Sequence, residues 1–168
     1  TWFEAPLPDY DFAGYQKLVN STGIKVIPSG NWVVDLQRFS EAINNNTWSA
    51  ARTDMAMVGG ITNCKKAMDI ASICGMDCEI MSWGYTLVSV ANLHVMLASD
   101  NCTFYEQPLP YEMFEFGMND VLRTSKDGYM HAPTKPGLGM EINWEKMKEK
   151  VIYQYHCDKS KNIGYVHA

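Results

Sequence analysis

The sequence is short of several things. It contains no CxxC pair, no bilayer-length apolar run, no low-complexity linker and little positive charge. Its five cysteines (64, 74, 78, 102 and 157) are odd in number. The closest spacing, Cys74-Gly-Met-Asp-Cys78, lacks the flanking His or Cys of a zinc site. A disulfide framework and a zinc module are therefore set aside in favour of reduced, mostly buried thiols in a cytoplasmic protein. Lys and Arg total 14 against 19 Asp and Glu, a net charge of −5, and the pI is near 5.3. That balance excludes the basic footprint a phosphate backbone or an anionic membrane requires. Lys146, Lys148 and Lys150 alternate with Glu145 and Glu149, which reads as a solvated helix face. The acidity still permits a carboxylate substrate, because a bound metal inverts the local field. Asn20, Asn45 and Asn101 open N-x-S/T triplets, taken as chance matches since no secretory signal accompanies them. Length is the last shortage. The 168 residues fall below the roughly 250 of a complete (β/α)8 barrel, and a start at Thr1 without Met or targeting segment reads as an excerpt.

What is present is globular: 46% hydrophobic, 12% aromatic and 20% charged residues. Short strand-like runs alternate with amphipathic helices. Trp2-Phe3-Glu4 is closed by Pro6-Leu7-Pro8, and Phe12, Tyr15, Leu18 and Val19 then share one helical face. Lys25-Val26-Ile27-Pro28 is the second run. Asp35 is placed to cap a helix carrying Leu36, Phe39 and Ile43. Trp48 to Asp54 is the third run, and Gly59-Gly60 leads into a helix over about 62–74 with Gly75 as its C′ residue. Cys78 to Met81 is the fourth run, 86–98 an almost wholly apolar helix, and Thr103-Phe104-Tyr105-Glu106 the fifth run. Beyond it, Asp127-Gly128 between two apolar stretches predicts a hairpin, and Asn143 caps a last helix. Five strands separated by helices predict βα units and a parallel sheet.

Polar residues close the strand runs. Glu4, Asn31, Asp54 and Glu106 each follow an apolar run and precede a loop. In a parallel α/β barrel that edge carries the active site, and four such residues in register point to a shared site. Glu4 and Asn31 offer oxygen ligands to a hard cation such as Mg2+, although Asn31 after Gly30 is equally a turn former. His94 lies within the apolar helix and reads as a packed core histidine. His131, His156 and His167 have no evident partner in sequence and receive no role.

Several motifs recur in a telling order. They are Trp2-Phe3-Glu4-Ala5-Pro6-Leu7-Pro8, Gly59-Gly60-Ile61-Thr62, Tyr105-Glu106-Gln107-Pro108, and Asp127-Gly128 followed by Pro133 and Pro136-Gly137-Leu138-Gly139. Together they resemble the mandelate racemase/muconate lactonizing enzyme branch of the enolase superfamily, above all its sugar-acid dehydratases. The resemblance implies a partial TIM-like (β/α)7β barrel comprising parallel strands four to eight, plus a C-terminal hairpin and helix. Residues 1–110 would form the C-terminal half of the barrel, and residues 111–168 the hairpin, turn and helix returning toward a capping domain.

The same resemblance implies a chemistry. A proton α to a carboxylate is abstracted, an enediolate is stabilised by Mg2+ and a donor, and water is lost. Glu4 matches the fourth-strand metal ligand, Asp54 the Asp of the family's His–Asp dyad, and Glu106 the eighth-strand acid. The fifth-strand ligand position, usually Glu after Gly, falls on Asn31, an amide also used in the glucarate dehydratase-like branch, or, with the register anchored on Asn31-Trp32, on Gly30, which offers no ligand. Counting from Gly75, the dyad's His position falls on Met81, which disfavours a two-base racemase. The family's second-strand Lys base and third-strand Asp ligand would precede Thr1, and Lys65-Lys66 reads as an exposed helix face. The expected activity is thus a Mg2+-dependent acid-sugar dehydratase acting on a small-molecule carboxylate. Its alternatives are a catalytically inactive structural or ligand-binding homologue, or an epimerase or cycloisomerase. Homo-oligomerisation, or association with the N-terminal portion, is expected because five strands do not close a barrel.

Overall fold

The computed structural model describes residues 1–158 and 163–167, with side chains through residue 153. Strand β1 (Phe3–Glu4) pairs in parallel with β2 (Val26–Ile27), and β3 (Ala51–Thr53) in parallel with β4 (Cys78–Ile80). The two pairs form one succession: Ser49 N–H donates to Val26 O at 2.9 Å, and Cys78 N–H donates to Asn101 O at 2.8 Å. The order is β1, β2, β3, β4 and then the 101–106 segment.

This succession is strongly curled. Strands spaced about 4.8 Å apart would put the first and last of five roughly 19 Å apart if flat. Instead the Trp2 and Phe104 rings meet edge to face at 5.3 Å. Helices α1 (Phe12–Ser21), α2 (Leu36–Asn44), α3 (Ile61–Ile73) and α4 (Thr86–Leu97) connect consecutive strands. Two of their ends are those the sequence predicts. Asp35 accepts from Arg38 N–H, and Gly75 takes the left-handed φ of +70° just past the α3 C-cap. Asp11 caps α1 by accepting from Gly14 N–H.

The core lies between helices and strands. Trp48, 2% exposed, stands between Phe12 and Phe39 with ring centroids 6.0 Å from each. Tyr15 is fully buried and donates its hydroxyl to Leu7 O at 2.8 Å. Cys64 and Cys78 are buried, Cys102 is half-buried and Cys74 is exposed. Burial pushes the Cys64 and Cys102 thiols up to about 12, so both stay protonated near neutrality. Cys157 lies outside the described side chains, as do His156 and His167.

The sequence expectations need correction at several places. The fifth run, 103–106, is extended but joins no strand ladder. Its amides are taken by side chains: Thr103 and Phe104 N–H donate to Glu79 Oε2 at 3.2 Å, and Glu106 N–H to Ser82 Oγ at 3.1 Å. The expected hairpin about Asp127-Gly128 is a turn without paired strands. Asp127 accepts Tyr129 N–H, while the preceding arm is held by Gln107, which accepts from Thr124 N–H. The antiparallel hairpin in the tail lies further on, β5 (Gln154–Asp158) with β6 (Ile163–His167). The last helix, α5 (Trp144–Lys148), has only five residues, capped by Asn143 as expected. Lys146, Lys148 and Lys150 are exposed, as a solvated face should be, and Lys146 and Lys150 reach over the Phe116 ring. His94 is half-buried rather than in the core, its Nε2 3.3 Å from Leu138 O.

Candidate active site

The strand ends open into a cavity of about 470 Å3 lined by Glu4, Asn31, Arg52, Met57, Met81, Trp83, Gly84, Glu106 and Phe114. Three of the four sequence-predicted residues therefore converge: Glu4 from the end of β1, Asn31 from the loop after β2, and Glu106 from the fifth extended segment. Asp54 does not line this cavity. Its carboxylate is 1% exposed, accepting from Ala56 N–H at 2.7 Å and from Asn92 Nδ2 at 2.7 Å. Burial raises its pKa against these hydrogen bonds. Asn92, fully buried on α4, also accepts Met55 N–H through Oδ1 at 2.9 Å. Asp54 and Asn92 thus fasten the β3 turn to α4.

The lining includes a residue the sequence reading passed over. Arg52, 2% exposed, is the middle residue of β3. Its Nη1 lies 2.8 Å from Glu4 Oε2 and its Nη2 2.5 Å from Glu106 Oε1. Trp2 Nε1 also donates to Glu4 Oε2, at 3.2 Å. Each carboxylate so commits one oxygen, leaving Glu4 Oε1 and Glu106 Oε2 without a protein partner among the described residues. Burial pushes the Glu106 carboxyl upward, and the Arg52 guanidinium opposes the shift. A signal for Arg52 was present, because a lone cation inside a buried strand needs a partner.

Asn31 is presented by a clamped turn. Asp9, 1% exposed, accepts from Ser29 N–H at 2.8 Å, Ser29 Oγ at 2.7 Å and Gly30 N–H at 3.1 Å. Gly30 has φ +81°, and a Cβ there would lie 2.9 Å from Arg52 Cγ. Glycine is therefore required twice, by backbone conformation and by the close approach of Arg52. Ala5, immediately after Glu4, also takes a positive φ of 47°, an uncommon conformation for alanine.

The donor set can be compared with the needs of a hard cation. Glu4 Oε1 and the Asn31 amide oxygen are two donors of the kind Mg2+ prefers. Among the described residues no group of three or more His, Cys, Asp or Glu could hold a metal. The residues fit as part of a coordination shell. Among the described residues no histidine lines the cavity, and Met81 is part of its wall. Lys65 pairs with Asp69 one turn on, at the surface, as an exposed helix face should.

Parallel strand pairs joined by helices, with carboxylates and an amide gathered beyond the strand ends, define an α/β protein. A family profile described as "Enolase C-terminal domain-like" matches residues 1–146. The chain belongs to this family and so to the enolase superfamily. It is 27% identical over 160 residues to a D-galactonate dehydratase of Cronobacter sakazakii, covering 92% of this chain and 41% of that protein. Among solved structures, a protein of mandelate racemase/muconate lactonizing enzyme type from Pseudovibrio sp. superposes with TM-score 0.88 at 43% identity, over 98% of this chain and 41% of that one. D-glucarate dehydratase from Agrobacterium tumefaciens, complexed with magnesium, superposes with TM-score 0.77 at 29% identity, over 88% of this chain and 39% of that one. The chain thus spans about two-fifths of the length of these relatives. Among the described residues no helix is long and apolar enough to cross a membrane.

Proposed function

We propose that this chain is the strand-four-to-eight portion of a (β/α)7β barrel in a Mg2+-dependent acid-sugar dehydratase. The observation that carries the reading is the convergence of Glu4, Asn31 and Glu106 on one cavity at the strand ends, within a chain of the enolase superfamily. The curl that brings Trp2 against Phe104 supports the barrel. Galactonate and glucarate dehydratases among the relatives support the sugar-acid class.

Glu4 and Asn31 would hold the ion, together with an oxygen ligand from outside these residues. When bound, Mg2+ withdraws charge from a substrate carboxylate and so acidifies the adjacent C–H bond. Glu106, fixed by Arg52 through one oxygen, directs its other oxygen to the substrate. Met57, Trp83 and Phe114 give the cavity an apolar wall against which a carbon chain can lie. The base would be the family's second-strand Lys. Met81 cannot carry a proton, so a single base serves the reaction. The intact enzyme is proposed to be cytoplasmic and homo-oligomeric, with residues 111–168 leading back to a capping domain.

Dehydration of a panel of aldonic and aldaric acids by the intact protein, followed as keto-acid product, tests this. Turnover that requires Mg2+ is expected. No turnover together with no metal binding would exclude it. The second reading, a non-catalytic ligand-binding homologue, is favoured by Met81, a side chain that cannot carry a proton, in the cavity wall. It predicts sugar-acid binding without product.

A further inference from the structure

The position of Arg52 has a consequence for metal binding. One guanidinium holds both Glu4 and Glu106, and its side chain is 1% exposed. Its Nε is buried without a hydrogen-bond partner among the described residues. The ion triad is therefore fixed on one side only by its two carboxylates, and both of those line the cavity in which Glu4 is a candidate ligand.

We propose that Arg52 is the resident counter-charge of this carboxylate site, keeping Glu4 and Glu106 assembled without metal and opposing the entry of a divalent cation at Glu4. The inference rests on the reading of Glu4 as a ligand. Two like-charged carboxylates drawn toward one point repel, and an intervening guanidinium removes that cost. A divalent ion at Glu4 Oε1 would share its carboxylate with a cation already at Oε2. A unit charge roughly 6 Å from a divalent ion weakens binding by about tenfold even at the dielectric of water, and by more where solvent is excluded. The same side chain stiffens the site: Gly30 packs on the Arg52 stem, and Asp9 clamps Gly30 in turn. Arg52 thus acts as a positioning residue, trading metal affinity for a preformed arrangement of ligands.

Two variants of the intact protein separate charge from geometry. Mn2+ affinity is read by electron paramagnetic resonance of the free ion, and metal-free stability by thermal unfolding. R52Q is expected to lower the metal-free Tm and to tighten Mn2+ binding by about tenfold or more. R52K keeps the charge and loses the fork, so its Tm falls while its Mn2+ affinity stays within about threefold of wild type. An arginine that is merely structural would lower Tm in both and weaken or leave unchanged Mn2+ binding in R52Q. That result, with wild type binding Mn2+, overturns the inference and leaves the proposed function standing. Failure of wild type and both variants to bind Mn2+ overturns both.

Discussion

Asp54 was singled out by its place at the end of a strand run, and its surroundings give it other work. Its carboxylate and the Asn92 amide satisfy one another inside the protein, with Ala56 and Met55 amides completing the set. In D54N the new amide would set one NH2 against another or lose Ala56 N–H. A loss of about 1–3 kcal/mol is expected. The exchange D54N/N92D restores the pair's mutual hydrogen bond and both backbone N–H contacts, losing only the 3.5 Å contact of Asn92 Nδ2 with Met81 O, and should recover most of it. Urea denaturation of the three proteins checks this. The acid also predicts a pH dependence. Because burial holds Asp54 above its ordinary 3.8, the native state binds more protons than the unfolded chain over the interval above 3.8. Its contribution to stability is then full at low pH and declines as pH rises through that interval, levelling above the raised native value. D54N should lack this decline.

Arg52 shows why residue-scale reading of the sequence is partial. Glu4, Asn31 and Glu106 were legible because a polar residue at a strand end stands out against its neighbours. Arg52 stood inside the run 48–54 and was absorbed into it, since its partners are 48 and 54 residues away in sequence. Only the curl of the sheet brings them together. Asn92 was hidden likewise by the apolar helix around it.

At the scale of elements, the helices were readable because apolar spacing and local caps are written within each segment. Asp35, Asn143 and Gly75 do what their types predict. Strand limits were less so. The 103–106 segment has strand character in sequence but satisfies its amides through Glu79 and Ser82, a substitution invisible without the fold. Two glycines of like conformation then give a contrast. Gly75 and Gly30 both have positive φ, but a Cβ at Gly75 meets nothing within 4 Å while one at Gly30 would press on Arg52 Cγ at 2.9 Å. G75A should cost about 1 kcal/mol. G30A should cost more, about 2–3 kcal/mol, because Arg52 cannot retreat without releasing Glu4 or Glu106. Thermal unfolding of the pair distinguishes conformational from steric loss.

For the whole molecule, the curled sheet is open on both sides among the described residues. Phe3 and Phe104 are 53% and 51% exposed, and β1 is paired on one edge only. Apolar side chains and unpaired strand edges favour association. The 168-residue chain expressed alone should therefore elute larger than its 19.0 kDa in size-exclusion chromatography. A well-folded monomer with cooperative unfolding would count against a partial barrel. The shortage of length noted in the sequence agrees with the two-fifths coverage of the relatives.

The central claim is that Glu4 and its neighbours serve abstraction of a proton α to a carboxylate. Exchange of that proton in D2O, followed by 1H NMR for sugar acids mixed with the intact protein, addresses it before any question of which leaving group follows. Loss of the α-proton signal of at least one aldonic or aldaric acid is expected with Mg2+ present, and no loss after chelation or in E4Q. Retention of every α-proton signal with Mg2+ in excess, or undiminished exchange in E4Q, would contradict it.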